Sequence, residues 1–67
     1  MKILLNGEEK YISDNSNLID LVSEMQNILP KFFVIELNGN VIYKEDYETT
    51  VLKDNDSLEV VVFAGGG

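Results

Sequence analysis

The chain has 67 residues, with twelve acidic and five basic side chains, a net charge of −7, no cysteine and no histidine. This length predicts a single small domain whose stability must come from an apolar core, because disulfides and thiolate metal sites are excluded. Without histidine the usual general base near neutral pH is missing, and the negative charge disfavours binding to nucleic acid or to anionic membranes.

The first predicted element is a β-hairpin. Two short strand-like runs flank Asn6-Gly7 in the stretch KILLNGEEKYIS. Asn-Gly readily takes the positive φ angles of a two-residue hairpin turn, so this dipeptide predicts the position of the turn. The apolar run at the start is much too short for a signal peptide, and no stretch is long enough to span a bilayer. We therefore expect a cytoplasmic protein.

A single amphipathic helix is predicted after the hairpin. Asn17 is a favourable N-cap, and Asp20 stands three residues later in the position of the capping-box acid. Pro30 is expected to end the helix, because proline lacks a backbone N–H and disfavours helical geometry in the residue before it. The pattern predicts a helix of about three turns. Its apolar residues at helical spacing are Leu18, Leu21, Val22, Met25, Ile28 and Leu29.

The second half of the chain is predicted to contain the remaining strands. The stretch FFVIELNGNVIY indicates a buried strand, a turn at Asn38-Gly39 and a short return strand. Residues 44–48 (KEDYE) have no apolar stripe and predict a turn of helix or a loop, before a short edge strand at TTVL. KDNDS predicts a turn with Asn55 in a left-handed conformation, and LEVVVF is the last strand.

This order of elements predicts an α+β fold. One helix covers one face of a mixed sheet of four to five strands, and it returns the chain to the sheet as a crossover. The first and last strands, both strongly apolar, then become central neighbours. This is the β-grasp arrangement of ubiquitin-like proteins. We expect a β-grasp domain over residues 1–64 and a flexible glycine tail over residues 65–67.

Strand alternation assigns the side chains of the last strand to two faces. The row without the glutamate is expected to face the helix, and the row with Glu59 the open side of the sheet. Val61 and Phe63 would then form an exposed apolar patch just before Ala64 and the glycines. Scattered apolar surface is normal, but a patch in this place favours docking of a partner. We therefore predict a partner interface at Val61, Phe63 and Ala64.

No group of residues typical of catalysis or metal binding occurs in the sequence. The acidic cluster at residues 45–48 lacks the glycine-pinned loop of a calcium site and is interpreted as a solvated turn. No nucleophile–base pair is present, so we predict a substrate of enzymes with neither catalytic residues nor a metal site. The tyrosines are expected to pack with their hydroxyls in water. The acidic cluster consists of Glu45, Asp46 and Glu48, and the tyrosines are Tyr11, Tyr43 and Tyr47.

The chain combines four stretches, ILLNG, NLIDLV, KDNDSLEVV and a terminal FAGGG. Together they resemble the ThiS family of sulfur carrier proteins in thiamine biosynthesis, over essentially the whole chain. The resemblance implies that Gly67 is adenylated by an E1-like adenylyltransferase and converted to a thiocarboxylate, with Gly65 and Gly66 threading into partner sites. It further implies that ATP is consumed by that enzyme, that a sulfur-donating enzyme supplies the sulfur, and that thiazole synthase receives it. No cofactor is expected on the chain itself.

Two other hypotheses stay open from the residues alone. A terminal Gly-Gly is shared with the small subunit of molybdopterin synthase and with ubiquitin-like modifiers. The chain is then a sulfur carrier for molybdopterin synthesis or tRNA thiolation, or a protein modifier. The second alternative is a β-grasp binding module whose tail is inert. The acidic charge favours basic protein partners in each case.

Overall fold

The computed structural model describes residues 1–63. The elements are β1 (Lys2–Leu5), β2 (Glu8–Tyr11), α1 (Leu18–Glu24), β3 (Phe33–Leu37), β4 (Asn40–Ile42), a 3₁₀ helix (Lys44–Thr49) and β5 (Ser57–Val62). The strands form one mixed sheet in the order β2-β1-β5-β3-β4. The pairing of β1 with β5 is parallel, and the other three pairings are antiparallel. The predicted β-grasp fold, with the first and last strands adjacent at the centre, is confirmed.

Both predicted Asn-Gly turns are present. The φ angles are 52° at Asn6 and 84° at Gly7, and 51° at Asn38 and 87° at Gly39. Two consecutive positive φ angles twist the backbone in the sense that the flanking strands require. Asn55 also has a positive φ angle, of 70°, as its turn predicts. These local features are therefore determined by residues next to one another in the sequence.

The helix begins as predicted, in a capping box. The Asp20 N–H donates to Asn17 Oδ1 at 3.1 Å, and the Asn17 N–H donates to Asp20 Oδ2 at 3.1 Å. These reciprocal bonds satisfy two backbone donors that have no partner within the helix. An isolated bridge pairs Asn17 with Val51. This bridge replaces the edge strand predicted at TTVL, because Thr50 and Leu52 bond to the residues around the helix start.

The predicted end of the helix is wrong, because α1 stops at Glu24 after seven residues. From there a tight turn follows, in which the N–H groups of Ile28 and Leu29 both donate to the Met25 carbonyl, at 2.9 and 3.0 Å. Pro30 explains why the helix does not continue to it, since its ring would clash with the carbonyl of residue 26 and disfavours helical geometry at Leu29. The last apolar residues of the predicted stripe consequently leave the helical face.

The core lies between the helix and one face of the sheet. It is formed by Ile3, Leu18, Leu21, Met25, Ile35, Tyr47, Leu52 and Leu58. Tyr47 packs there as predicted, and burial raises the pKa of its hydroxyl. The packing prediction is wrong for Tyr11 and Tyr43, which are 74% and 65% exposed. Tyr11 ends the outer strand β2 and Tyr43 directly follows the outer strand β4, so both lie at the edges of the sheet.

Candidate functional site

Strand β5 leads the chain from the centre of the sheet to the predicted site. It pairs with β1 on one side as far as Leu5 opposite Leu58, and with β3 on the other side as far as Phe33 opposite Val62. Its last residues therefore keep a strand neighbour on the β3 side only. The chain beyond Val62 starts from a position that the central strand defines.

Asn6 holds the side of β5 that β1 no longer covers. Its N–H donates to the Leu58 carbonyl at 2.9 Å, and its side-chain Oδ1 accepts from the Val60 N–H at 2.8 Å. Asn38 acts similarly at the start of the strand, where its Oδ1 accepts from the Ser57 N–H at 2.9 Å. Asn38 thus bonds to the start of β5 and Asn6 to its middle. The sequence indicated only their turn geometry, because their partners are 54 and 19 residues away.

The side chains at the end of β5 follow the predicted alternation only in part, because Val62, on the row expected to face the helix, is 56% exposed. Leu58 is buried and Val60 packs against the core, whereas Val61 and Phe63 are 37% and 58% exposed. Val61 lies opposite Val34 of β3, so these two valines share the open face of the sheet. Apolar side chains are therefore accessible just before residue 64. Their role as a partner interface stays a prediction.

An acidic pair lies beside this apolar surface. Glu59 of β5 is directly opposite Glu36 of β3, two pairing positions from the Val61–Val34 row and therefore on the same face of the sheet as that row. Like charges directly opposite each other destabilise a sheet, so this pair has an electrostatic cost in the free protein. A cationic partner group placed over the pair would remove that cost. The open face therefore combines an apolar patch with a negative potential.

The residues predicted to carry the chemistry lie outside the described part of the chain. They are Ala64, Gly65, Gly66 and Gly67, and their roles stay predictions. Within residues 1–63 no three acidic side chains are grouped so that they could hold a metal ion. In particular, Glu45, Asp46 and Glu48 are exposed on the 3₁₀ helix. The same residues contain no helix that is long and apolar enough to cross a membrane.

Comparison with known proteins relates this fold to one family. Residues 3–67 match the model of the ThiS family. The chain is 38% identical over 64 residues to the sulfur carrier protein ThiS of Bacillus subtilis, a match covering 94% of this chain and 96% of that protein. The crystal structure of the thiamine biosynthesis protein ThiS from Geobacter metallireducens superposes with a TM-score of 0.84 at 30% identity, over the full length of both chains.

A second kind of relative is much longer. The whole chain is 33% identical over 67 residues to a thiazole synthase of Paramagnetospirillum magneticum, of which it spans 20%. A thiazole synthase of Magnetococcus marinus matches in the same way, with 36% identity and 20% of its length covered. The family model covers nearly all of the chain, and a small sulfur carrier of similar length matches it from end to end. The chain belongs to the ThiS family of sulfur carrier proteins in thiamine biosynthesis.

Proposed function

We propose that the chain carries sulfur as a thiocarboxylate on Gly67 and delivers it to thiazole synthase. An E1-like adenylyltransferase activates the Gly67 carboxylate with ATP, and a sulfur-donating enzyme supplies the sulfur. The observation that supports this most is the family match, which extends through residue 67. The two thiazole synthases that contain a stretch similar to the whole chain support the choice of recipient.

The proposed chemistry explains why a carrier needs activation. A carboxylate is a poor electrophile, since its leaving group would be oxide. Attack of the carboxylate on the α-phosphate of ATP releases pyrophosphate and gives an acyl adenylate. A sulfide-level nucleophile then adds to the carbonyl and displaces AMP, leaving –C(O)S⁻. The last residues lack β-carbons after Ala64, so they can enter a narrow channel where a larger side chain would clash.

Intact mass measurement tests this proposal directly. The chain ending at Gly67 is incubated with the activating enzyme, ATP and the sulfur donor of its own organism. We expect a mass gain equal to the replacement of one oxygen by sulfur, located on the C-terminal peptide after digestion. Omitting ATP should abolish the gain. An unchanged mass with all components present would contradict the carrier chemistry.

The acidic surface is expected to control how fast the activating enzyme binds. The chain has a net charge of −7, and Glu36 and Glu59 add a local negative potential beside the exposed valines. Basic residues on the enzyme would then steer the encounter, an effect that salt screens. We predict that the association rate constant falls as salt is raised, while the dissociation rate constant changes less. Stopped-flow measurements in which association is independent of salt would limit the charge to a role in solubility.

Phe63 is expected to be an anchor for the activating enzyme. An aromatic residue in the centre of an interface commonly contributes about 2 kcal/mol or more to binding, so Phe63→Ala should weaken binding at least about tenfold. The fold should be little affected, because 58% of Phe63 is exposed. Tyr11→Ala is the matched control, since Tyr11 is also an exposed aromatic residue but lies on the outer strand β2. Equal affinities of both variants, measured by calorimetry, would place the interface elsewhere.

A further inference from the structure

A second apolar surface flanks the end of β5, on the face opposite Val61 and Phe63. It is a groove of about 290 Å³ between the strand end and the turn that follows α1. Because side chains alternate along β5, Val60 and Val62 point to this side. The apolar residues that line it are Leu5, Met25, Ile28, Leu29, Val60 and Val62. We call it the helix-side groove.

Residues of the turn after α1 form one wall of the helix-side groove. Ile28 is 80% exposed there, although its N–H is bonded to the Met25 carbonyl at 2.9 Å. Val62, on the facing wall, is 56% exposed. The backbone that carries these two side chains is fixed by the hydrogen-bonded turn at Ile28 and by the pairing of Val62 with Phe33. The groove therefore presents a preformed apolar surface directly beside the start of the predicted tail.

The helix-side groove differs from the open face in charge. None of its lining residues is ionisable, in a chain of which 25% of the residues are charged. The open face next to Val61 instead carries the Glu36–Glu59 pair. Interface surfaces that are apolar and depleted of charged residues are typical of long-lived complexes. Charged surfaces are suited to transient encounters that electrostatic attraction steers. The two faces are thus suited to different partners.

We propose that the helix-side groove is the docking site for thiazole synthase, which inserts an uncharged apolar side chain between Ile28 and Val62. The proposal rests on the function proposed above, in which the tail visits two proteins in succession. Relatives of the whole chain occur as one fifth of two thiazole synthases. A domain joined to its partner in one polypeptide has a permanent neighbour, and a charge-free apolar groove matches such a neighbour.

Two other occupants fit the groove less well. Residues 64–67 are one alanine and three glycines, which offer a single methyl group to an apolar groove of about 290 Å³. A second copy of the chain would bring another net charge of −7 into contact, and this repulsion opposes self-association. Thiazole synthase is therefore the occupant that the surroundings favour.

The test compares Ile28→Glu with Val51→Glu in the full chain. Both positions are exposed and apolar, but Val51 pairs with Asn17 at the start of α1, at the opposite helix end from the groove. Affinities for purified thiazole synthase and for the activating enzyme are measured by calorimetry. We expect Ile28→Glu to weaken binding to thiazole synthase at least tenfold and to leave the other affinity unchanged. We expect Val51→Glu to change neither affinity.

Further measurements separate this proposal from the function itself. The wild-type chain and Ile28→Glu should both gain the mass of the thiocarboxylate. If neither gains it, the proposed function is contradicted, whereas the groove proposal is still decided by binding to thiazole synthase. Unchanged binding of Ile28→Glu to thiazole synthase would overturn the groove proposal, and so would an equal loss for both enzymes. A wild-type dimer that Ile28→Glu converts to monomer would instead assign the groove to a second copy. If Ile28→Glu does not fold, Ile28→Ala should still reduce binding to thiazole synthase several-fold, and unaltered affinity would again overturn the proposal.

Discussion

Removal of Gly66 and Gly67 is expected to abolish thiocarboxylate formation and to leave the melting temperature nearly unchanged. The activating enzyme must bring one particular carboxylate to ATP, so a chain two residues shorter presents its carboxylate out of reach of the reacting phosphate. The deleted residues have no side chains that could bury apolar area, so folding loses no hydrophobic stabilisation. Intact mass after the complete reaction and thermal unfolding by circular dichroism measure the two effects.

A chain extended by one alanine after Gly67 is the matched control for this deletion. It keeps all three glycines but moves the free carboxylate to a different residue, so it should also fail to gain sulfur. Together the two variants separate the position of the carboxylate from the glycine content of the tail. Thiocarboxylation of the shortened chain at the wild-type rate would contradict the assignment of the chemistry to Gly67.

Replacing Leu21 by alanine is expected to destabilise the fold strongly, whereas the same change at Ile28 should have little effect. The two residues are two helical turns apart in the predicted stripe, but Leu21 is 2% exposed and Ile28 is 80% exposed. Emptying a core leucine site typically costs about 2–5 kcal/mol, while exposed substitutions stay within about 0.5 kcal/mol. For so small a domain, the Leu21 loss corresponds to a fall in melting temperature of about 10 °C or more.

Urea unfolding at equilibrium measures both free energies on the same scale. The pair is its own control, because each variant removes an aliphatic side chain of the same size. Equal losses of stability would mean that α1 continues through residue 28 and that the apolar stripe packs as its periodicity predicts. The helix-side groove would then not exist in the form described.

Features that depend on neighbouring residues could be predicted from the sequence. Asn6-Gly7 and Asn38-Gly39 take positive φ angles because these residue types tolerate them, whatever the rest of the fold does. The capping box of α1 likewise needs only Asn17 and Asp20, which are three residues apart. The central position of the first and last strands was predictable as well, since the most apolar strands are expected at the centre of a sheet covered by one helix.

Contacts between residues that are far apart in the sequence could be found only from the folded structure. Periodicity shows which residues share a face if a helix continues, but the end of α1 at Glu24 depends on the competition between helix and turn before Pro30. Ile28 consequently lines a groove with Val62, 34 positions later in the chain. The bond from the Val60 N–H to Asn6 Oδ1 spans 54 positions. Such contacts depend on segments that are distant in the sequence, because the packed fold and not the local sequence brings their atoms together.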